Sequence, residues 1–264
     1  MNPDALFWLA LVIKMLVAGG LVVAATITAE RAGPLIGALI ATLPVYTGPT
    51  YVFLALDHST EFLADSVLAS LVTNPALAVY ALVYALLAQR RALLPSLAIS
   101  MMVWLAMVFG LQSLSWTLSG ALLLHAVVFP VCLLLSRRYR HVPIPRMPSY
   151  WYDVPLRAAF VGLLVAVAIG LSFSIGPHGT GVLAVFPIVL TSVIVILHRR
   201  VGGVATAAVL ANMVIGLIGF GAGLLVLYLT VVALGPLLAL PLALAASVAW
   251  GVAVIGVRWL RLRW

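Results

Sequence analysis

The chain has 264 residues, of which 65% are hydrophobic and 8% charged, with 14 basic against 6 acidic side chains. A soluble domain spends about a quarter of its residues on charge, and a mean hydropathy of +1.26 leaves too little polar surface to face water. These values exclude a soluble enzyme, a nucleic-acid binder and a disordered chain, and they point to an all-α polytopic membrane protein whose first partner is the lipid bilayer.

Crossing the hydrocarbon takes about 20 apolar residues. The sequence predicts nine such spans, near 6–29, 34–56, 62–88, 93–111, 115–136, 155–175, 179–197, 203–229 and 231–257. The first run is expected to be a span and not a cleaved signal peptide, because Asp4 precedes it, no basic cluster does, and it is too long. The stretch from Val201 to Val257 carries no charge, so three short helices fit it as well as two long ones. Cys132 is the single cysteine, which rules out an intrachain disulfide and a multi-cysteine metal site.

Charge sets the expected orientation. With the N-terminus outside and nine spans, every basic residue except Lys14 falls on the cytoplasmic side, while Asp4, Asp57, Glu61 and Asp65 lie on or near the outer side. Ten spans would place Arg258, Arg261 and Arg263 outside, against the positive-inside rule. The expected location is therefore the cytoplasmic (inner) membrane of a bacterial-type cell, with the C-terminus inside. The pI of 10.3 then reflects topology. The hydrophilic stretch from Arg137 to Asp153, with its prolines and Tyr150-Trp151-Tyr152, reads as a cytoplasmic linker between two halves.

The halves match at an offset of 143 positions: Gly33-Pro34 and Pro44 fall on Gly176-Pro177 and Pro187, Ala41 on Ala184 and Lys14 on Arg157. After one residue of slippage Val67–Val72 falls on Val209–Val214. An odd number of spans between the copies inverts one relative to the other. The acidic loop with Asp57 and Glu61 accordingly matches the basic His198-Arg199-Arg200. The expected architecture is two inverted four-helix repeats, 1–112 and 154–264, joined by a connecting span and linker over 113–153. Inverted repeats are common in secondary transporters, whose substrate sites lie near the midplane at broken helices.

The first repeat resembles the GlpM/YdgC family of small bacterial inner-membrane proteins through Val12-Ile13-Lys14, Leu43-Pro44, Asp57 and the aromatic run Ala78–Tyr84. The resemblance reaches over residues 10–112 and implies an internally duplicated form of a roughly four-span protein. That family is associated with alginate production, and the resemblance carries no biochemical activity with it. Length, linker and fifth span depart from the family.

Several residues suit a solute or ion path. Lys14 lies inside the first span, where a cation is either functional or snorkels to the headgroups. Thr42, Pro44, Tyr46, Thr47, Pro49 and Thr50 form a proline-interrupted, hydroxyl-rich stretch of span 2, and Pro187 with Thr191 repeats it in span 7. Either pair of breaks is a structural kink capped by hydroxyls or the floor of a transport site. Asn74 and Asn212 sit at the middles of spans 3 and 8, as interhelical contacts or path lining. Asp65, near the outer end of span 3, suits a coupling proton or plain solvation. His125 reads as a satisfied core histidine. Gly219–Gly223 reads as a close-packing segment, a hinge or a hidden turn.

Neither HExxH nor GxSxG is present, and no two carboxylates pair within a span. The expectation is a non-enzyme without cofactor or metal: a transporter for an unknown small solute, with a homo-oligomer compatible. The alternative is a non-transporting subunit assisting envelope or exopolysaccharide biosynthesis.

Overall fold

The structure is a computed structural model and describes residues 3–31, 47–140, 142 and 153–261. Among the described residues there is no strand. The helices are α1 (Pro3–Arg31), α2 (Thr47–Asp57), α3 (Thr60–Leu87), α4 (Leu93–Gln112), α5 (Leu118–Ser136), α6 (Asp153–Ala184), α7 (Ile188–Leu234) and α8 (Pro236–Arg261), with a 3-10 turn at Arg137–Tyr139. By length and composition, five continuous helical stretches of the described residues are able to cross a membrane, one of them the kinked run 154–234.

Local chemistry sets the boundaries. Thr117 caps α5 by accepting from the Gly120 amide, and Pro236 opens α8 at a first-turn position that needs no amide donor. Both long runs are broken at glycine. Gly176 (φ 68, ψ −177) interrupts α6 and Gly202 (φ 80, ψ 170) interrupts α7, a positive-φ, extended-ψ backbone that is essentially confined to glycine. After each break the next turn is tied back in the same way, with Thr180 donating to the Gly176 carbonyl and Thr206 to that of Gly202.

Gly176 falls in the gap expected between spans ending at 175 and starting at 179, Gly202 just before the span expected to start at 203, and the non-helical Val185–Pro187 step at the proline interruption of span 7. The uncharged stretch resolves into two helical segments that divide at Gly235, not near residue 230. Gly219–Gly223 is therefore no turn. It lies within continuous α7, where Gly219 faces the Trp250 ring and Gly223 faces Ser247, so the missing side chains let α7 approach α8.

Two compact units emerge, each drawn from both sequence halves. The first comprises 1–67, 150–186 and 219–264, and the second 68–149 and 187–218. In the first, α1 packs along α6. Gly19 lies against the Ala158 carbonyl and Gly162 against Met15, so both contacts are backbone-close. In the second, a small core joins Ala85, Tyr139, Ala207 and Ala211, and Gly203 lies against the Ala88 carbonyl. α3 is buried along nearly its whole length, whereas α4, α5 and α8 leave much of one side exposed. Exposed leucines such as Leu94, Leu123 and Leu237 face outward there, the pattern that a lipid solvent permits.

Candidate functional site

Within the first unit, Lys14 of α1 meets Asp57 at the end of α2. Nζ donates to Oδ2 at 2.5 Å, and the side chains are only 16% and 22% exposed. The cation inside the first apolar run is thus neutralised by a carboxylate distant in sequence, the arrangement that lowers the cost of a charge in a poorly hydrated site. Next to it, His58 Nε2 and Ser172 Oγ on α6 are hydrogen-bonded at 2.7 Å. The imidazole stacks on Phe62 with ring centroids 3.8 Å apart and tilts against Phe173. Burial holds this histidine below its ordinary value, against the opposing pull of Asp57 and with a further push from Lys14.

The same unit contains a cavity of about 500 Å3 walled by residues of α1, α2, α7 and α8, among them Val17, Gly48, Phe53, Leu224 and Leu244. Three wall residues carry polar groups, and all three are spent on backbone. Thr47 donates to the Ala184 carbonyl at 3.0 Å, Tyr51 to that of Ser66 at 3.0 Å and Ser247 to that of Gly219 at 3.2 Å. Pro49 also lines the cavity, and Thr50 is buried beside it in sequence. Among the described wall residues no side chain keeps a free donor, and a largely apolar interior gives water little to bind.

Within the second unit the polar groups gather on one face of α3. Ser70, Thr73, Asn74, Tyr80 and Tyr84 are fully buried. At about 100° per residue they share an arc of roughly 120°. Gln112 of α4 donates to the Thr73 hydroxyl at 3.3 Å. Tyr80 and Thr191 are hydrogen-bonded at 2.8 Å, and Tyr84 and His198 Nδ1 at 2.5 Å. Asn74 donates to the Leu217 carbonyl at 3.0 Å and lies 3.3 Å from His125 Nε2. Since His125 Nδ1 sits 2.8 Å from the Ala121 carbonyl, which only accepts, Nδ1 carries the proton and Nε2 accepts from Asn74. Both amide hydrogens are thereby used. Asn74 Oδ1 remains buried with no hydrogen-bond partner, and such a group in a folded interior calls for an explanation.

The expected path residues are thus divided. Lys14, Thr47, Pro49 and Thr50 belong to the first unit, and Asn74 and Thr191 to the second. Pro187 ends the non-helical step before α7. Asn212 is also in the second unit, but it donates to the Ala208 carbonyl and, at 3.3 Å, to that of Arg140 at the linker's start. Asp65 is exposed on α3. Thr42, Pro44 and Tyr46 lie outside the described residues, as does the Arg157 side chain.

Sequence reasoning left out Asp57, His58 and Ser172 as companions of Lys14, and Tyr80, Tyr84 and Gln112 as companions of Asn74. The α3 group had a readable signal, since serine, threonine and tyrosine recur at helical spacing through positions 66, 70, 73, 80 and 84. The Lys14–Asp57 pairing had none, because 43 residues separate the partners. Comparison of the chain with protein-family models, curated proteins and solved structures gives no match.

Proposed function

We propose that this chain is a secondary transporter of the bacterial inner membrane that moves a small polar solute along the buried face of α3. The observation that carries this reading is Asn74: a fully buried amide, oriented by Leu217 and His125, whose carbonyl oxygen is unspent. An oriented amide oxygen among hydroxyls suits a cation or the donor groups of a solute, and its desolvation makes its occupancy selective. The breaks at Gly176, 185–187 and Gly202 support a nine-span count, and the Pro187 interruption supports an inverted repeat with a discontinuous helix. The sequence holds no phosphate-binding loop, so an ion or solute gradient would supply the energy. An internally duplicated relative of the GlpM/YdgC family and a non-enzymatic role fit the same reading.

The test is uptake by proteoliposomes across a panel of small polar solutes under imposed proton and sodium gradients. At least one solute should accumulate, and Asn74→Ala should reduce its rate at least tenfold while the protein still inserts and purifies as a monodisperse species. Unchanged uptake in that variant would remove Asn74 from the path. The second reading, a non-transporting subunit of an envelope or polysaccharide assembly, is favoured by the apolar lining of the cavity in the first unit. Failure of every solute under every gradient would support it.

A further inference from the structure

We propose that the cavity of the first unit is a lipid-binding site that takes one hydrocarbon chain of a zwitterionic phospholipid, with the headgroup at the Lys14–Asp57 pair. This stands whether or not the protein moves a solute. The cavity's capacity fits a single chain. At about 30 Å3 for a water-sized group, 500 Å3 accommodates roughly sixteen groups of methylene size, one long acyl chain and not two. Its chemistry fits as well, because the wall is almost wholly apolar and Thr47, Tyr51 and Ser247 donate their hydroxyl hydrogens to carbonyls, leaving a ligand no side-chain donor.

Helix geometry places charge at one end of that slot. Val17 and Phe53 line the cavity. Lys14 precedes Val17 by three residues of α1, a rise of about 4.5 Å, and Asp57 follows Phe53 by four residues of α2, a rise of about 6 Å. Their salt bridge shows that both side chains reach the same point. The rim therefore presents one positive and one negative group and carries no net charge. A purely anionic head would meet Lys14 but be repelled by Asp57. A head bearing a phosphate and an ammonium matches both, phosphate to Lys14 and ammonium to Asp57.

Gly48 offers a selective probe. It lines the cavity, and a Cβ built there meets nothing within 4 Å, so Gly48→Leu fills the slot without a clash at the backbone. The experiment titrates the purified full chain, in uncharged detergent, with lysophosphatidylethanolamine carrying a sixteen-carbon chain. Palmitate and glycerophosphoethanolamine serve as chain-only and head-only comparisons.

The lysophospholipid should bind at least tenfold more tightly than palmitate, and the isolated head should not bind. Gly48→Leu should weaken lysophospholipid binding at least tenfold with helix content and monodispersity unchanged. Lys14→Met combined with Asp57→Leu should erase the preference for the zwitterion while retaining chain binding. The exchanged pair, Lys14→Asp with Asp57→Lys, should restore the preference. Wild-type affinity in Gly48→Leu, or saturation by the head alone, would overturn the site; equal affinity for palmitate would overturn the headgroup assignment. Should Gly48→Leu not fold, a chain-end photoreactive lysophosphatidylethanolamine on the wild-type protein decides. Cross-links within 47–53 or 240–247 support the site, and their absence there overturns it.

Discussion

In the nine-span topology expected from the sequence, Lys14 is the one cation that loop charge does not account for, and its pairing with Asp57 supplies the reason it is tolerated. Removing either partner leaves a part-buried charge alone, a loss of about 1–3 kcal/mol for a charge-assisted hydrogen bond that retains some contact with water. Lys14→Met should lower thermal stability by that amount in a melting experiment on the purified protein. Adding Asp57→Leu should recover part of the loss, because the pair is then replaced and not broken.

His58 adds a pH dependence of predictable sign. Burial holds its imidazole below the ordinary value of 6.5, and of the neighbouring charges Asp57 opposes this while Lys14 adds to it. Among the described residues, uncharged Ser172, Phe62 and Phe173 also contact it. The unfolded chain therefore takes up a proton more readily than the folded one. The contribution of His58 to stability is complete above pH 6.5 and is lost as pH falls through the folded-state value. The melting temperature should drop on acidification below 6.5, and His58→Gln should flatten that slope. An equal slope in the variant would assign the effect elsewhere.

Among the elements, α3 carries the densest polar chemistry in the most buried position. Buried hydroxyls and amides in a helix are costly unless paired, and Thr73, Asn74, Tyr80 and Tyr84 of α3 draw partners from α4, α5 and α7 of the second unit, with Asn74 Oδ1 left over. Tyr80→Phe strands only Thr191 and should cost about 1 kcal/mol, whereas Asn74→Ala abolishes two contacts and the free acceptor together. The two variants should therefore differ in uptake far more than in melting temperature.

Close helix approach makes a separate demand. A Cβ at Gly203 would clash with the Ala88 carbonyl oxygen, which is backbone and has no rotamer to change. Gly203→Ala should cost about 1–3 kcal/mol as α7 is pushed from α3. Gly20→Ala, where a Cβ meets nothing within 4 Å, is the control that should leave the melting temperature unchanged or higher.

For the whole molecule the governing quantity is the distribution of arginine. The clusters at 90–91, 137–140, 199–200 and 258–263 alternate with apolar runs, and the nine-span topology expected from the sequence would put them all on one side of the membrane. A C-terminal fluorescent-protein fusion should fluoresce in the cytoplasm, and an alkaline phosphatase fused after Glu61 should be active outside. The reverse pattern would invert the orientation, and activity on both sides would refute a single topology. Neither outcome bears on the lipid site or on the α3 path, which depend on contacts within each unit.

The sequence by itself determined the membrane class and most helix breaks, because these are local. An apolar run and a proline without an amide act through near neighbours, so the interruption at Pro187 and the span gaps that hold Gly176 and Gly202 were legible, though the glycines themselves were not read as breaks. It misplaced the break at Gly235, since a long uncharged stretch offers no hydropathy contrast and only packing decides where one helix ends. Gly219–Gly223 was ambiguous for the same reason: flexibility and close packing use the same residue, and only Trp250 and Ser247 on α8 separate them. The sites were the least legible part. Lys14, Thr47 and Asn74 stood out as residue types unusual in lipid, but whether a polar group is spent or available depends on its partner. The tertiary structure decided that Thr47 is consumed by a carbonyl, that Lys14 is neutralised by Asp57 and that Asn74 keeps one oxygen free, because hydrogen bonds and ion pairs in a helical bundle join groups that are close in space and distant along the chain.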